Sequence, residues 1–340
     1  MADVLQSLKL MLYNTENLFL LSDQKLTTDH TKLDENQWQK LSTSIYENKP
    51  ILKTKHIAKI ILDEAPDIVM LCEVGGIESL QNFNRLFLNE GYHCALMEGN
   101  SDRNIDVGFL IKKSLPFYFD LMSNKNRSIN YLYPHERLSV DTKYPDKVKT
   151  TQSHRFSRDA AELHLFTNDR EKPFLIILLA HLKSRLDPAG VDPNGFERRQ
   201  AELKTLIEIY KELSAKKSCP MIVAGDFNGN ASHTATDKEF QPLYDETELA
   251  DVLRIAQLTP DKSATYYQVG RNQSIEGRQI DYCFLSKELA PFLDKKSAFV
   301  YRYKDYQGLE SDPPKTMDQK LNFPSDHYPI LFILTQLPIK

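Results

Sequence analysis

The segment Met221-Ile-Val-Ala-Gly-Asp-Phe-Asn228 carries the pattern from which the fold of this chain can be predicted. Its first four residues are apolar, and a short apolar run that ends at glycine is typical of a buried β-strand. Asp226 and Asn228 follow at the strand end, and in extended backbone their side chains point to the same face. Burying a carboxylate is costly unless it is paired, hydrogen-bonded or bound to a metal. The segment therefore predicts a functional strand end or, since Asp-x-Asn is also common in turns, an ordinary turn.

The same junction between an apolar strand and a polar side chain occurs three more times along the chain. The residues that follow these apolar runs are Asn14 with Glu16, Glu73, and His181. One such junction can be a strand that simply reaches solvent, but strand ends in α/β sheets converge where ligands bind. The four junctions together predict one site at a common edge.

Strand and helix patterns alternate along the chain, which is typical of an α/β fold. Predicted strands include residues 8–13, 68–72, 107–111, 174–180, 221–224, 280–285 and 330–335, and predicted helices cover residues 52–64, 77–89 and 196–215. The strands are apolar at nearly every position, so we expect a sheet that is covered on both faces. With 340 residues, the chain can form one large domain or two smaller ones.

The composition is that of an ordinary globular protein, with 41% hydrophobic and 26% charged residues, which excludes disordered and fibrous classes. The formal net charge of −4 provides no general attraction to nucleic acid or to anionic membranes. No apolar run approaches the roughly 18 residues of a membrane span, and the first residues lack the pattern of a signal peptide. We therefore expect a cytoplasmic protein, or a secreted one if a signal was removed. The four cysteines form no CxxC pair, so we expect buried free thiols.

Two polar insertions interrupt the pattern, at residues 22–50 and 123–158. Long insertions of this kind are usually functional or partly disordered. The second contains eight Lys/Arg against three Asp/Glu, and among them lie the aromatic residues Tyr131, Tyr133, Tyr144 and Phe156. This mixture is typical of surfaces that contact phosphates and stack on bases. The alternative is that these aromatic side chains pack the insertion onto the sheet.

The ionisable and amide residues indicate the kind of chemistry. Besides the four junctions, Asp281 lies within a predicted strand and Ser325-Asp326-His327 precedes the last one, although a lone Asp–His pair is often structural. Carboxylate and amide oxygens suit a hard cation such as Mg²⁺, Mn²⁺ or Ca²⁺. The sequence has no HExxH zinc motif, no GxxxxGK[ST] or GxGxxG phosphate loop and no GxSxG elbow. Metal-assisted hydrolysis of a phosphate ester fits this set of residues best.

Seven segments, taken in chain order, match the motifs of a known group of enzymes. They are Tyr13-Asn14-Thr-Glu16-Asn17-Leu-Phe, Pro66-Asp-Ile-Val-Met-Leu-Cys-Glu73-Val, Phe156-Ser-Arg158-Asp-Ala, His181-Leu-Lys183-Ser184-Arg185, Gly225-Asp226-Phe-Asn228, Ile280-Asp281-Tyr282 and Ser325-Asp326-His327-Tyr-Pro. Through these segments the chain resembles the endonuclease/exonuclease/phosphatase superfamily, in particular its deoxyribonuclease-like branch. The resemblance implies a four-layer sandwich, in which two mixed β-sheets are flanked by helices, and a single domain over residues 1–340.

The resemblance also implies a metal centre and a water-activating pair. Glu73 resembles the principal metal ligand, and the residues in or near the metal shell are Asn14, Glu16 and Asp326. We expect Mg²⁺ there, with Mn²⁺ or Ca²⁺ as alternatives. Asp226 and Asn228 resemble the pair that contacts the attacking water and the scissile phosphate.

Two histidines complete the implied site. His327 resembles the catalytic histidine, which Asp281 orients and whose cationic form it stabilises. His181 resembles a second histidine that faces the phosphate. Asp106 is our candidate for a carboxylate partner of His181.

Basic residues near these motifs bear on the substrate. Arg158 resembles a phosphate-contacting arginine, and Lys183 and Arg185 lie just beyond His181. Together with the basic insertion, they favour a phosphodiesterase or endonuclease that hydrolyses nucleic acid by in-line attack of water. The alternatives are a lipid or inositol phosphate phosphoesterase and a non-catalytic binding module with a decayed site. We expect a monomer, because no sequence feature requires an oligomer. We expect no stable membrane insertion, because no hydrophobic insertion suggests membrane docking.

Overall fold

The structure, a computed structural model, describes residues 3–137, 153–167, 169–217, 219–270, 272, 274–305 and 307–339. Two six-stranded mixed β-sheets pack against each other, and helices cover their outer faces. The α/β fold class and the four-layer sandwich predicted above are confirmed.

The first sheet holds the first and the last of the described strands next to each other. In spatial order its strands are β13 (Leu293–Val300), β14 (Ile330–Ile339), β1 (Asp3–Leu18), β2 (Ile68–Val74), β4 (Asp106–Lys112) and β3 (Tyr92–Leu96). Within it, β1 and β2 are parallel and the other neighbours are antiparallel. The parallel pair sets Asn14 opposite Cys72, the residue before Glu73, so two of the polar junctions meet at one edge.

The second sheet brings the other two junctions together. In spatial order its strands are β5 (Tyr118–Ser123), β6 (Ala160–Phe166), β7 (Leu175–His181), β8 (Met221–Asp226), β12 (Asp281–Leu285) and β9 (Ala250–Asp251). Here β7 and β8 form the parallel pair. Asp226 at the end of β8 is in register with His181 on one side and with Asp281 on the other.

Helices and one hairpin surround the two sheets. The helices are α1 (Glu35–Gln39), α2 (Ile51–Glu64), α3 (Gly76–Phe87), α4 (Pro134–Arg137), α5 (Phe196–Lys217), α6 (Gln241–Glu246), α7 (Val252–Ile255), α8 (Pro260–Ser263) and α9 (Met317–Leu321). The hairpin pairs β10 (Tyr266–Val269) with β11 (Ile275–Arg278). The three helices predicted from periodicity correspond to α2, α3 and α5, with ends shifted by at most two residues.

The apolar runs of the sequence fill two cores. One fills the space between the sheets and continues under α2 and α3, and the other lies between the second sheet and α5. The stripe on α5 formed by Leu203, Leu206, Ile207 and Tyr210 is buried in the second core, as expected for an amphipathic helix. Every residue of β7 and β8 is buried. The ionisable residues at their ends therefore lie at the edge of the buried core.

The first insertion, residues 22–50, is held by a buried aromatic anchor. Trp38 in α1 is fully buried, packs edge-on against Phe87, and donates its indole N–H to the carbonyl of Lys49 at 2.9 Å. The anchor fixes the end of the insertion, where Lys49 lies.

The second insertion supports the packing alternative where the structure describes it. Tyr131 and Phe156 are buried in the core under α5, so these two rings are not available to stack on bases. Tyr144 and three of the eight basic residues fall in residues 138–152, outside the described part. The interpretation of this insertion as a base-stacking surface is therefore wrong for its two buried rings.

Among the helices that the structure describes, none combines the length and the apolar character that crossing a bilayer requires. All four cysteines are unpaired thiols, with Cys72 and Cys283 buried and the other two partly buried.

Candidate active site

Asp226 lies at the centre of the candidate active site. It is the last residue of β8, is 1% exposed, and is flanked across the sheet by His181 and Asp281. Its Oδ2 accepts a hydrogen bond of 2.9 Å from the side-chain amide of Asn14, which extends from the first sheet. Its Oδ1 accepts the N–H of Asn228 at 2.8 Å, which is the geometry of an Asx turn. The segment from Asp226 to Asn228 is therefore a turn that also lies in the candidate site.

Asn228 does not follow the extended backbone that we expected. Its φ is 53°, in the left-handed region, so its side chain does not share the face of Asp226 by strand alternation. Instead, its amide donates to the carbonyl of Leu182 at 3.1 Å, just beyond His181. The Asx turn, rather than the pleat of the strand, keeps Asn228 beside the site.

The backbone at position 225, directly before Asp226, requires a glycine. Its φ is 144°, and a Cβ built on it would lie 1.7 Å from the carbonyl oxygen of Ala180 on the parallel neighbour. No side chain fits at this distance. The close approach of β7 and β8 brings the side chains of His181 and Asp226 together.

His327 and Asp281 form a hydrogen-bonded pair that faces Asp226. The two side chains meet at 2.8 Å between Nδ1 and Oδ2, and Nε2 of His327 lies 3.9 Å from Oδ2 of Asp226. Burial lowers the pKa of His327, but the surrounding carboxylates, above all Asp281, outweigh it and raise that pKa well above its usual range. The raised pKa favours the form of His327 that is protonated on both nitrogens, and Nε2 is the nitrogen on the side of Asp226.

His181 is held in the opposite state. Burial, reinforced by the positive charge of Arg158, keeps the pKa of His181 well below its usual range. Its Nε2 lies 3.5 Å from Oδ2 of Asp226, while its Nδ1 has no hydrogen-bond partner among the described residues. A neutral and a cationic imidazole thus flank one carboxylate, which separates a proton acceptor from a proton donor.

The first sheet contributes Glu73 beside this trio. Its Oε1 lies 4.0 Å from Nε2 of His181, and its Oε2 accepts the N–H of Asn17 at 3.1 Å. Glu73, Glu16 and Asn17 have φ values of 63°, 49° and 57°. Left-handed backbone at non-glycine residues is costly, and it is found most often at functional sites. The ends of β1 and β2 are therefore strained at the point where they meet the site.

The carboxylates fit a divalent cation. Asp226, Asp281 and His327 bring atoms of ligand type within 4.8 Å of one another, but a cationic imidazole has no free nitrogen for a metal, so only the two carboxylates of this group are candidate ligands. Burial, with repulsion from Asp281, raises the pKa of Asp226 to about 7, and Glu73 adds to it. A positive charge beside Glu73 and Asp226 would offset this repulsion, and carboxylate and amide oxygens are the ligands that Mg²⁺ and Mn²⁺ take.

Two of the predicted metal-shell residues are engaged by lysines. Glu16 Oε2 lies 3.5 Å from Nζ of Lys49 and 3.4 Å from Nζ of Lys53. Asp326 Oδ2 lies 3.4 Å from Nζ of Lys320, although its Oδ1 is 3.8 Å from Nε2 of His327. Glu73 and Asn14 remain the better candidates for a metal shell.

Three cations at the site were missed by the sequence reasoning. Lys49 is buried, and burial lowers its pKa to about 8. Lys53 is partly buried, and Arg103 Nη2 lies 3.9 Å from Oε2 of Glu73. All three lie in loops or at a helix start, where neither periodicity nor a motif marks them.

The three predicted substrate-binding cations make different contacts in the structure. Arg158 is buried, donates to the carbonyl of Leu182 at 3.4 Å, and has an Nε without a partner among the described residues. The ammonium of Lys183 donates to the carbonyls of Ser184 and Leu186, so it stabilises the loop in which it lies. Arg185 pairs with Asp237 at 2.7 Å.

The predicted pairing of Asp106 with His181 is wrong. Asp106 Oδ1 accepts the backbone N–H of Gly99 at 2.7 Å, and His181 Nδ1 has no hydrogen-bond partner in the described part of the chain. Burial raises the pKa of Asp106 to about 6. Asp106 thus supports the loop in front of β4 rather than the histidine.

Comparisons with known proteins identify the family and the fold. The model of the Endonuclease/Exonuclease/phosphatase family matches residues 9–336. The structure resembles the human Nocturnin catalytic domain with bound sulfate, at TM-score 0.56 and 17% identity, over 98% of this chain and 97% of that chain. It also resembles TDP2 from Caenorhabditis elegans, at TM-score 0.53 and 15% identity over 97% of this chain and 75% of that one. A mannosyl-6-phosphatase from Bacteroides thetaiotaomicron matches at TM-score 0.50 and 16% identity, over 96% of this chain and 98% of that one. No curated protein sequence matches. At such identities these structures share the fold.

Proposed function

The chain belongs to the endonuclease/exonuclease/phosphatase family, and from that premise we propose that it hydrolyses phosphodiester bonds of nucleic acid with the help of a divalent cation. One observation carries the phosphoesterase assignment: a buried carboxylate, Asp226, lies between a neutral His181 and a cationic His327. Such an arrangement can remove a proton from water on one side and supply one to a leaving oxygen on the other.

The residues around Asp226 have separate tasks in this proposal. Asn14 and the Asx turn of Asn228 hold the carboxylate in one orientation, so that it aligns the attacking water. His327, kept cationic by Asp281, stabilises or protonates the leaving oxygen. The buried guanidinium of Arg158 adds a fixed positive charge for the phosphate.

Glu73 and Asn14 would hold the metal. When bound there, a divalent cation supplies positive charge to the phosphate oxygens as negative charge develops. Lys49 and Lys53 neutralise Glu16 next to this position, which leaves Glu73 as the carboxylate open to a metal.

The nucleic-acid part of the proposal is supported by charge at the rim. Arg103 is half exposed next to Glu73, and the second insertion has a net excess of Lys and Arg. Such cations are what phosphate backbones contact. The second candidate is a phosphatase that acts on small phosphate monoesters, favoured by the fold shared with a mannosyl-6-phosphatase.

A substrate panel tests this proposal. Purified protein with Mg²⁺ is assayed on plasmid DNA, single-stranded DNA, RNA, bis-p-nitrophenyl phosphate, mannose 6-phosphate, inositol phosphates and sphingomyelin. We expect cleavage of nucleic acid that stops in EDTA, is lost in His327→Ala and persists in the exposed control His56→Ala. Release of orthophosphate from the monoesters without cleavage of any nucleic acid would favour the phosphatase instead.

A further inference from the structure

A large cavity lies next to the catalytic residues and has no role in the chemistry described above. Its volume is about 610 Å³. Its walls are the loop 230–237 after β8, the short helices α7 and α8, and the β10–β11 hairpin. Pockets of this size hold small ligands rather than a double helix.

The cavity adjoins the catalytic centre on two sides. Asn230 in its wall comes two residues after Asn228, and Ile280 comes directly before Asp281. Arg185 links the two regions, because its guanidinium donates to the carbonyl of Asn228 at 3.2 Å and to Asp237 in the cavity wall at 2.7 Å. A group attached to a phosphate at the catalytic centre can therefore reach this space.

The wall of the cavity carries three arginines, Arg185, Arg254 and Arg278, and three carboxylates, Asp237, Asp251 and Glu276, so its formal charges balance. Arg185 pairs with Asp237, and Arg278 pairs with Glu276 at 2.7 Å. These two pairs also lie within electrostatic reach of each other, since Asp237 acts on Arg278 and Arg185 acts on Glu276. The cavity thus has little net charge to offer a second phosphate.

The remaining wall is rich in groups that bind hydroxyls. It includes the amides of Asn230, Gln257 and Gln279 and the hydroxyls of Ser232, Thr234 and Ser263. The amides of Asn230 and Gln279 already donate within the protein, to Ala235 and to Asp251, whereas an acyl chain would leave the hydroxyls of Ser232 and Thr234 facing hydrocarbon.

Asp251 provides the most specific feature of the wall. It is 5% exposed, and its Oδ2 accepts the amide of Gln279 at 3.1 Å. The backbone N–H groups of Leu253, Arg254 and Cys283 stabilise the charged form of this carboxylate, yet no donor among the described residues meets its Oδ1 with hydrogen-bond geometry. A buried carboxylate oxygen without a partner is costly, and a hydroxyl of a ligand would satisfy it.

We propose that this cavity binds the hydroxylated group esterified to the scissile phosphate, either the sugar of a nucleoside or a free sugar ring. This inference rests on the proposed phosphoesterase function, and it adds a preference for sugar-bearing esters over simple aryl esters. Asp251 and Gln279 act as the hydroxyl-binding pair, and the paired arginines form the rim.

The test measures selectivity. We measure kcat/KM for two sugar esters, the p-nitrophenyl ester of thymidine 5′-monophosphate and mannose 6-phosphate. Each value is divided by kcat/KM for bis-p-nitrophenyl phosphate, which has no sugar. Thr234→Trp fills the cavity from an exposed loop position, and Lys238→Trp introduces the same side chain outside the wall. We expect at least a tenfold fall in the ratio for one sugar ester, through KM, in Thr234→Trp only. The ester that responds identifies the source of the sugar.

A second variant keeps the test decisive if Thr234→Trp does not fold. Asp251→Asn removes the carboxylate charge with little change in shape, and we expect a severalfold rise in KM for the same sugar ester. Ratios that stay unchanged in both variants, while bis-p-nitrophenyl phosphate is hydrolysed, overturn the cavity inference and leave the phosphoesterase function intact. Calorimetry with thymidine and D-mannose measures binding without turnover. If the wild type hydrolyses none of the esters, the proposed function fails. If neither sugar then binds in calorimetry, the cavity inference is overturned as well.

Discussion

The two histidines of the site show how the same side chain takes two protonation states within one cluster. His327 is bonded to Asp281 and surrounded by carboxylates, whereas His181 is buried beside Arg158 without a carboxylate on its Nδ1. The neighbours, rather than the ring, decide which histidine is the cation.

Asp281→Asn tests this division of roles. The amide removes the charge that keeps His327 cationic, so we expect kcat on bis-p-nitrophenyl phosphate to fall by about a hundredfold or more. Asp63→Asn, at an exposed position of α2, is the matched control. An unfolding temperature close to that of the wild type shows that chemistry was lost rather than the fold, and activity within a factor of two would refute the role of Asp281.

Asp106 makes stability depend on pH. Burial raises its pKa to about 6 from an ordinary 3.8, so the folded state binds more protons than the unfolded state between these values. Stability from this group is then greatest below about pH 4 and is lost as pH rises through about 6.

Asp106→Asn should remove this loss, because the amide oxygen can still accept the N–H of Gly99. We expect the unfolding temperature of the variant to rise relative to wild type at pH 8 and to change little at pH 4, measured by calorimetry. Exposed Asp120→Asn should show no such difference. A variant that is less stable than wild type at pH 8 would contradict the sign.

Single residues were predictable from the sequence where a strand pattern marked them. Asp226, Glu73 and His181 each end an apolar run, and the structure gathers them at one place. Lys49 and Arg103 reach the same place from loops, where side-chain direction depends on contacts that no local pattern encodes. The Asp106–His181 pairing failed for that reason, since it required knowing the path of the loop between β3 and β4, in which Gly99 lies.

At the scale of the element, the β7–β8 pair sets the site. Its parallel register puts His181 beside Asp226, and Gly225 permits the close approach. We expect Gly225→Ala to destabilise the protein by about 3 kcal/mol or more, because the methyl group collides with the carbonyl of Ala180.

Gly190→Ala separates the two causes of this effect. Gly190 also has a positive φ, of 64°, but nothing lies within 4 Å of the position that a Cβ would take there. We expect a cost of about 1 kcal/mol there, measured by urea denaturation. Equal costs at both positions would show that backbone strain, and not the collision, dominates at Gly225.

The first insertion is an element that the sequence presented only as a polar interruption. Trp38 is the one tryptophan of the chain, so its fluorescence reports on this insertion alone. Because it packs on Phe87 and holds Lys49, we expect its unfolding transition in urea to coincide with that of far-UV circular dichroism. A fluorescence transition at lower urea would show that the insertion detaches before the sandwich unfolds.

At the scale of the whole molecule, the site is assembled across both sheets. Asn14 and Glu73 come from the first sheet, and Asp226, Asp281 and His181 come from the second. The alternation of strands and helices predicted the α/β class with covered strands, whereas the pairing of two sheets was predicted from the resemblance to the family. Strands with exposed residues, such as β5 and β13, escaped prediction because their burial alternates or is incomplete.

Metal binding should therefore stabilise the whole fold. A cation that binds beside Glu73 favours the docked sheets over the unfolded chain, so we expect Mg²⁺ to raise the unfolding temperature by about 2 °C or more at constant ionic strength. Glu73→Gln should abolish the rise, and Glu78→Gln, at an exposed position of α3, should retain it. An equal rise in both variants would place the cation elsewhere.

The contact between β1 and β14 has a consequence for biosynthesis. Ser325 and Asn14, 311 positions apart, are joined by a hydrogen bond of 2.8 Å, and β1 lies between β2 and β14. A growing chain on the ribosome holds β1 long before its partner and His327 exist, and pairing across such a separation is slow. Until β14 has been synthesised, the nascent polypeptide therefore leaves one edge of β1 unpaired and the site without His327 in place, and unpaired strand edges are prone to aggregation.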